Sequence, residues 1–263
     1  MATDRKAGIV IQERDRHLLR ELALTRVIDR EQATIIGSFG SASRTNRRLH
    51  QLTRAGLLNR FFLGANGAGR KALYALSRNA AQAFDLPYRG LQRRKDEVLV
   101  TDLFVQHQLA VNHVYCALKY ANAPPTGVIF GRWISFTAPL SATLRLIPDG
   151  YVEIATPTGT VAAFLEVDRG PETLKVWQEK VRKYIALANS WQFEPAFHQS
   201  RFRVLVVATS ERRMLSIRKT VAAMTDKVFW FATLDSLPKG GVFGSVWLRP
   251  KGEGRQTLLK GLP

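Results

Sequence analysis

Cysteine is almost missing from this chain: Cys116 is the one thiol in 263 residues. An internal disulfide therefore cannot form, and neither can a zinc site built on thiolates. Beside Val114 and Leu118 in a helical pattern, Cys116 reads as a small core residue. Long apolar runs are missing too, and none approaches the length of a membrane span. The opening Met1-Ala2-Thr3-Asp4-Arg5-Lys6 lacks the apolar core of a signal peptide. These absences point to a cytoplasmic protein with no membrane partner. Internal repeats and low-complexity segments are absent as well.

Acid is scarce, with 21 Asp and Glu against 39 Lys and Arg, a formal charge of +18. Such an excess costs self-repulsion in the folded state, and a polyanionic partner is the common reason to carry it. The bases are spread along the chain rather than gathered on one amphipathic helix, which favours nucleic acid over a membrane surface. Residues 1–97 hold 19 basic and 9 acidic residues, and residues 98–263 hold 20 and 12. Both halves can therefore face the same polyanion. The length suits two modest domains.

From Gln12 to Leu24, the positions Leu18, Leu19, Leu22 and Ala23 predict a short amphipathic helix. Asp29 can cap a second helix over Glu31–Ile36, and Ser41 a third over Ala42–Ala55, ended by Gly56. On the third helix Thr45, Leu49 and Leu52 point inward, while Arg44, Arg47, Arg48, Gln51 and Arg54 point outward. Two strands, 57–63 and 70–76, flank the glycine-rich tip 64–69, with Arg70 and Lys71 at its base. Three helices and such a wing resemble the winged helix-turn-helix DNA-binding domain, whose third helix enters a major groove. The domain spans residues 1–85. Residues 86–97, with Pro87, Gly90 and the run Arg93-Arg94-Lys95, read as a basic linker able to lie along phosphates.

A long helix is expected from Glu97 to Asn122, with Leu99, Leu103, His107, Ala110, Val114, Ala117 and Ala121 as its core stripe. A strand follows at 128–136. Then come two short apolar runs that end in or open on acid, Leu146-Ile147-Pro148-Asp149 and Phe164-Leu165-Glu166-Val167-Asp168, with the turn Thr156-Pro157-Thr158-Gly159 between them. They predict a β-hairpin that brings Asp149 near Glu166. Two carboxylates held together repel unless something positive joins them, and a divalent ion with oxygen ligands is the usual solution. Helices at 173–191 and 211–224 and strands at 202–209 and 228–232 complete a domain over 98–235. Residues 236–263 are expected to form a partly ordered tail.

The pattern Pro-Asp…Glu-x-Asp resembles the PD-(D/E)xK nuclease superfamily, and the element order α-β-β-β-α-β matches its restriction-endonuclease-like core. The expected fold is thus α+β with an α/β part: a winged helix followed by that domain. This chain departs from the superfamily at Asp168, where a lysine is expected; Lys180 on the next helix is the nearest substitute. The winged helix, Pro148-Asp149-Gly150, Phe164–Gly170 and the Lys180/Tyr184 pair are together similar to the replication-relaxation family of plasmids and mobile elements, over residues 10–235.

That resemblance implies a role in plasmid replication and DNA relaxation, with double-stranded DNA as partner. A second copy of the chain, or other replication and mobilisation proteins, would be further partners. The nuclease resemblance implies Mg²⁺ or Mn²⁺ on Asp149, Glu166 and Asp168, with Lys180 completing a nicking endonuclease site; His107 and Tyr184 are supporting candidates. The alternative is a non-catalytic winged-helix replication or transcription factor with a degenerate nuclease-fold domain.

Overall fold

Asp29, Ser41, Thr173 and Ser210 each stand just ahead of a helix and accept a backbone N–H from its first turn. They satisfy donors that a helix start leaves open. The computed structural model, which describes residues 9–63, 71–89, 98–170 and 172–259, is a mixed α+β chain divided into two compact units, 1–116 and 117–263.

The first unit runs α1 (Glu13–Thr25), β1 (Ile28–Asp29), α2 (Arg30–Ile36), α3 (Ala42–Arg54), β2 (Leu58–Leu63), β3 (Lys71–Leu76), α4 (Arg78–Ala83) and most of α5 (Val98–Lys119). Its three strands form an antiparallel sheet in the order β1-β3-β2, with Leu58 opposite Leu76 and Leu63 opposite Lys71. As the spacing predicts, α3 buries Thr45, Leu49 and Leu52. Arg70, Arg93, Arg94 and Lys95 lie outside the described residues.

The division between units falls inside α5, well past the basic stretch 86–97 where sequence places it. Buried hydrogen bonds explain the shift. Asn112 donates to the carbonyls of Thr25 and Val27 at 3.1 and 2.6 Å. Gln32 donates to the Leu109 carbonyl at 2.8 Å, and the Tyr115 hydroxyl to Glu21 at 2.6 Å. Such groups are costly to bury unpaired, so they fasten α5 to α1 and α2. The buried face also differs from the expected stripe. Ala110 and Val114 are buried as expected, but Leu103 is 61% exposed, and Val105, Leu109, Tyr115 and Leu118 are buried outside the expected stripe.

The second unit is built on the sheet β4-β5-β6-β7-β8, from β4 (Ile129–Ile134), β5 (Gly150–Thr156), β6 (Gly159–Asp168), β7 (Arg203–Ala208) and β8 (Phe229–Thr233). Its first three strands are antiparallel and its last three parallel. Helices α6 (Leu174–Ala188) and α8 (Glu211–Ala222) follow β6 and β7, with the short α7 (Phe193–Phe197) between α6 and β7. Ala162 and Phe164 of β6 join a core with Val204, Phe229, Trp177, Val181, Met214 and Ile217. Burying each large side chain of this core contributes about 1.5–3 kcal/mol. Side chains alternate along a strand, so Glu166 and Asp168 share the face of Phe164.

Residues 236–259, within the stretch expected to be a partly ordered tail, carry regular structure. They form α9 (Ser236–Gly240), β9 (Ser245–Trp247) and β10 (Gln256–Thr257), with Trp247 and Leu258 fully buried. Phe231 and Leu248 exchange backbone hydrogen bonds of 2.9 and 2.8 Å, which covers part of the free edge of β8.

Candidate functional site

Local geometry sets the acids. Asp149 stands one residue ahead of β5, where its backbone N–H donates to the Leu165 carbonyl at 3.0 Å. Its carboxylate accepts the Val167 N–H at 2.7 Å. The next residue must be small: a Cβ on Gly150 would meet the Trp133 ring at 2.4 Å. This close approach of β4 seats Asp149 against the C-terminal end of β6.

Glu166, 1% exposed, meets two side chains one turn apart on α6. Lys180 Nζ lies 2.9 Å from one carboxylate oxygen, and the Tyr184 hydroxyl donates to the other at 2.6 Å. Lys180 also reaches Glu172 at 2.9 Å. Burial pushes the Glu166 carboxyl up to about 7; the Lys180 charge opposes this, and Asp149 adds to it. Burial works against the Lys180 ammonium, yet Glu166 and Glu172 raise its pKa and keep it charged. Tyr184, raised by burial and by Glu166, stays a donor at any working pH.

Asp168, two residues on, has a different environment. Arg213 grips both its oxygens at 2.7 and 2.8 Å, Trp177 donates at 2.7 Å, and the Gly170 N–H at 2.8 Å. Gly170 is at φ 106, a left-handed conformation suited to glycine. Burial pushes the Asp168 carboxyl up, but these donors outweigh it and hold the group below the usual range. The structure therefore brings Asp149, Glu166, Lys180 and Tyr184 together, while Asp168, expected as a third metal ligand, has both oxygens occupied by a guanidinium.

Glu172 and Arg213 were missed by the sequence reading. Lys183, on the same helix as Lys180, donates to the Arg145 carbonyl at 3.1 Å. His107 is half-buried on α5 in the other unit. Among the described residues, no group of three or more His, Cys, Asp or Glu side chains could hold a metal ion. Two carboxylates still fit Mg²⁺ or Mn²⁺, because such hard ions keep several waters and accept one or two protein carboxylates. Glu166 must then give up one of its present partners, so the fit is to a weakly held ion.

In the N-terminal unit, Arg44, Arg47, Gln51 and Arg54 of α3 are exposed, with Asn46 and His50 on the same helix. Asn46 and His50 line a cavity of about 630 Å³ with Arg30, Arg60 and Lys71. Lys71 remains half-exposed while pairing with Asp29 at 2.6 Å. Arg48 departs from the expected outward row: it is held against buried Asp15 by bonds of 2.9 and 2.5 Å. That pair ties α3 to α1. The helical spacing of Asn46 and His50 was the available signal for this cavity; Arg60, on β2, had none.

A sequence model of the replication-relaxation family matches residues 19–199, more than half of the chain. The match takes in α3, Asp149, Glu166, Asp168, Lys180 and Tyr184, and stops short of Arg213. No curated protein and no solved structure gives a match.

Proposed function

The chain belongs to the replication-relaxation family, and on that premise we propose that it is a plasmid or mobile-element protein that binds duplex DNA and nicks it with a divalent ion. In this reading the N-terminal unit is a winged helix and the C-terminal unit a restriction-endonuclease-like domain. One observation carries it: Lys180 Nζ lies 2.9 Å from Glu166, on the helix that follows the strand where the superfamily's lysine is absent. The acid pair thus keeps a cation beside it.

Asp149 and Glu166, with the Val167 carbonyl, would hold Mg²⁺ or Mn²⁺. When bound, the ion supplies an acidified water and neutralises charge on the scissile phosphate. Lys180 contributes a fixed positive charge facing the attacked phosphate, which counts for more in a half-buried site than in water. Glu172 keeps that ammonium charged, and Tyr184 orients Glu166. Asp168 takes no part: with Arg213 it forms a neutral brace between β6 and α8. Arg44, Arg47 and Arg54 would meet phosphates, while Asn46, His50 and Gln51 face base edges.

A second reading, DNA binding without cleavage, draws on the near-complete burial of Glu166 and on its two occupied oxygens. Incubation of supercoiled plasmid with the full chain separates the two. With Mg²⁺ or Mn²⁺ the expected product is open circles, absent in EDTA. Lys180→Ala lowers the rate on the order of a hundredfold or more without loss of DNA binding, and exposed Lys175→Ala leaves it unchanged. A plasmid left supercoiled by wild type with either ion establishes the binding-only reading.

A further inference from the structure

Beside the acid centre stands one carboxylate oxygen that the proposed reaction does not use. Glu172 Oε1 accepts from Lys180 at 2.9 Å, whereas its Oε2 is buried and has no hydrogen-bond partner among the described residues. A buried acceptor left unpaired is costly, more so on a charged group. Glu172 sits just ahead of α6, and its main-chain carbonyl accepts from the Arg213 guanidinium. Arg213 feels the Glu172 charge, but its Nε and Nη2 are committed to Asp168. The brace therefore fixes the backbone of Glu172 and leaves its second carboxylate oxygen open.

Glu166 has the opposite difficulty. Lys180 occupies its Oε2 at 2.9 Å and Tyr184 its Oε1 at 2.6 Å, so a divalent ion needs one partner to leave. Tyr184 is fully buried, its ring 5.7 Å from Phe164, 5.9 Å from Phe229 and 6.3 Å from Phe202. Withdrawing its hydroxyl would require a close-packed core to rearrange. Lys180 is only half-buried, and a lysine carries three donors on a flexible four-carbon stem. Its ammonium already touches Glu172 and lies 5.1 Å from the centre of the Trp177 ring, whose face favours a cation. Trp177 is in turn held by its bond to Asp168 at 2.7 Å. A second seat for the ammonium is thus built beside the first.

We propose that Glu172 is a positioning residue for the acid centre, which takes Lys180 over from Glu166 when a divalent cation binds. Lys180 then bonds both oxygens of Glu172 and fills the orphan acceptor. Glu166 Oε2 comes free for the ion, while Tyr184 stays on Oε1. The ammonium moves away from the arriving positive charge yet remains within the centre. This inference rests on the metal site of the proposed function, though not on cleavage: a protein that binds the ion without nicking DNA satisfies it.

The test measures Mn²⁺ binding to the full chain at pH 8, by electron paramagnetic resonance of the free ion. Wild type is compared with Glu172→Gln, Lys180→Gln and the double variant. Without the Glu172 charge, Lys180 stays on Glu166 and the Kd rises by roughly tenfold or more. With Lys180→Gln in place no ammonium has to move, and adding Glu172→Gln changes the Kd by less than about threefold. A Glu172 that acted on the ion directly would weaken binding as much in both backgrounds. That result overturns the proposal, as does wild-type affinity in Glu172→Gln. A crystal structure of wild type with Mn²⁺ needs no variant to fold, and it should show Lys180 on Glu172 alone with Glu166 on the ion. Lys180 still bonded to Glu166, or Glu172 on the ion, overturns the proposal. Binding that is lost in Glu166→Gln but indifferent to Glu172→Gln leaves the metal site standing and removes this inference alone. Absence of binding to wild type at millimolar Mn²⁺ removes both.

Discussion

Glu166 and Asp168 sit two residues apart on one face of one strand, and both are 1% exposed. Asp168 is closed off by an arginine fork, an indole and a backbone N–H, and its pKa falls. Glu166 meets one lysine shared with Glu172, one tyrosine and the repulsion of Asp149, and its pKa rises. Burial alone therefore does not set the direction in which a carboxyl's pKa moves. What separates the two is whether the partners fully compensate the charge. Asp168 is a brace, and Glu166 is held in a state that a further cation would relieve.

The largest effect should come from breaking the brace. Arg213→Ala leaves the Asp168 carboxylate buried beside no counter-charge and should cost about 3–5 kcal/mol in denaturant unfolding. The double change Asp168→Asn/Arg213→Gln, which removes both charges, should cost clearly less. Equal losses in the two proteins would show that the fork does not compensate Asp168.

The pH dependence of stability sharpens the contrast, because the two acids act with opposite sign. The folded-state pKa of Glu166 is raised, to about 7, so the native state holds that proton more tightly than the unfolded chain. Its contribution is fully present below the unfolded value near 4.5 and is lost as pH rises through about 7. The loss is on the order of 3 kcal/mol. Asp168, whose pKa is lowered, contributes above its unfolded value and loses that contribution as pH falls through the folded one. Unfolding curves from pH 5 to pH 8 without divalent ions should decline for wild type and flatten for Glu166→Gln. An unchanged slope in that variant would assign the decline elsewhere.

Much of this arrangement was legible in the sequence, and its limits are physical. Asp149, Glu166, Lys180 and Tyr184 come from one hairpin and the helix after it, where strand and helix periods bring them together. The partner of Asp168 is 45 residues away on α8, and no local spacing says which of the basic residues there turns inward. Helix α5 is apolar on most sides, so its period offered several faces, and long-range bonds to Thr25, Val27 and Glu21 selected one. Trp247 and Leu248 stand among Gly and Pro without a repeating pattern, so only the open edge of β8 shows why they are ordered.

The same distinction between fastened and unfastened charge divides the arginines of α3, with smaller effects. Arg44 and Arg47 are exposed, whereas Arg48 is bonded to Asp15, and that bond raises its pKa. Changing Arg44 and Arg47 to Ala should weaken duplex binding by about 1–3 kcal/mol and flatten its salt dependence without altering the melting temperature. Arg48→Ala should lower the melting temperature. A melting temperature unaffected by Arg48→Ala would return it to the row of phosphate contacts.

The contrast between the two acids is tested most directly by Mn²⁺ binding at pH 8, measured by electron paramagnetic resonance of the free ion. Wild type and the folded Asp168→Asn/Arg213→Gln protein should bind the ion alike, and Glu166→Gln should bind at least tenfold more weakly. Binding that survives Glu166→Gln but disappears in the Asp168/Arg213 double variant would contradict the account and move the metal centre to the acid described here as a brace.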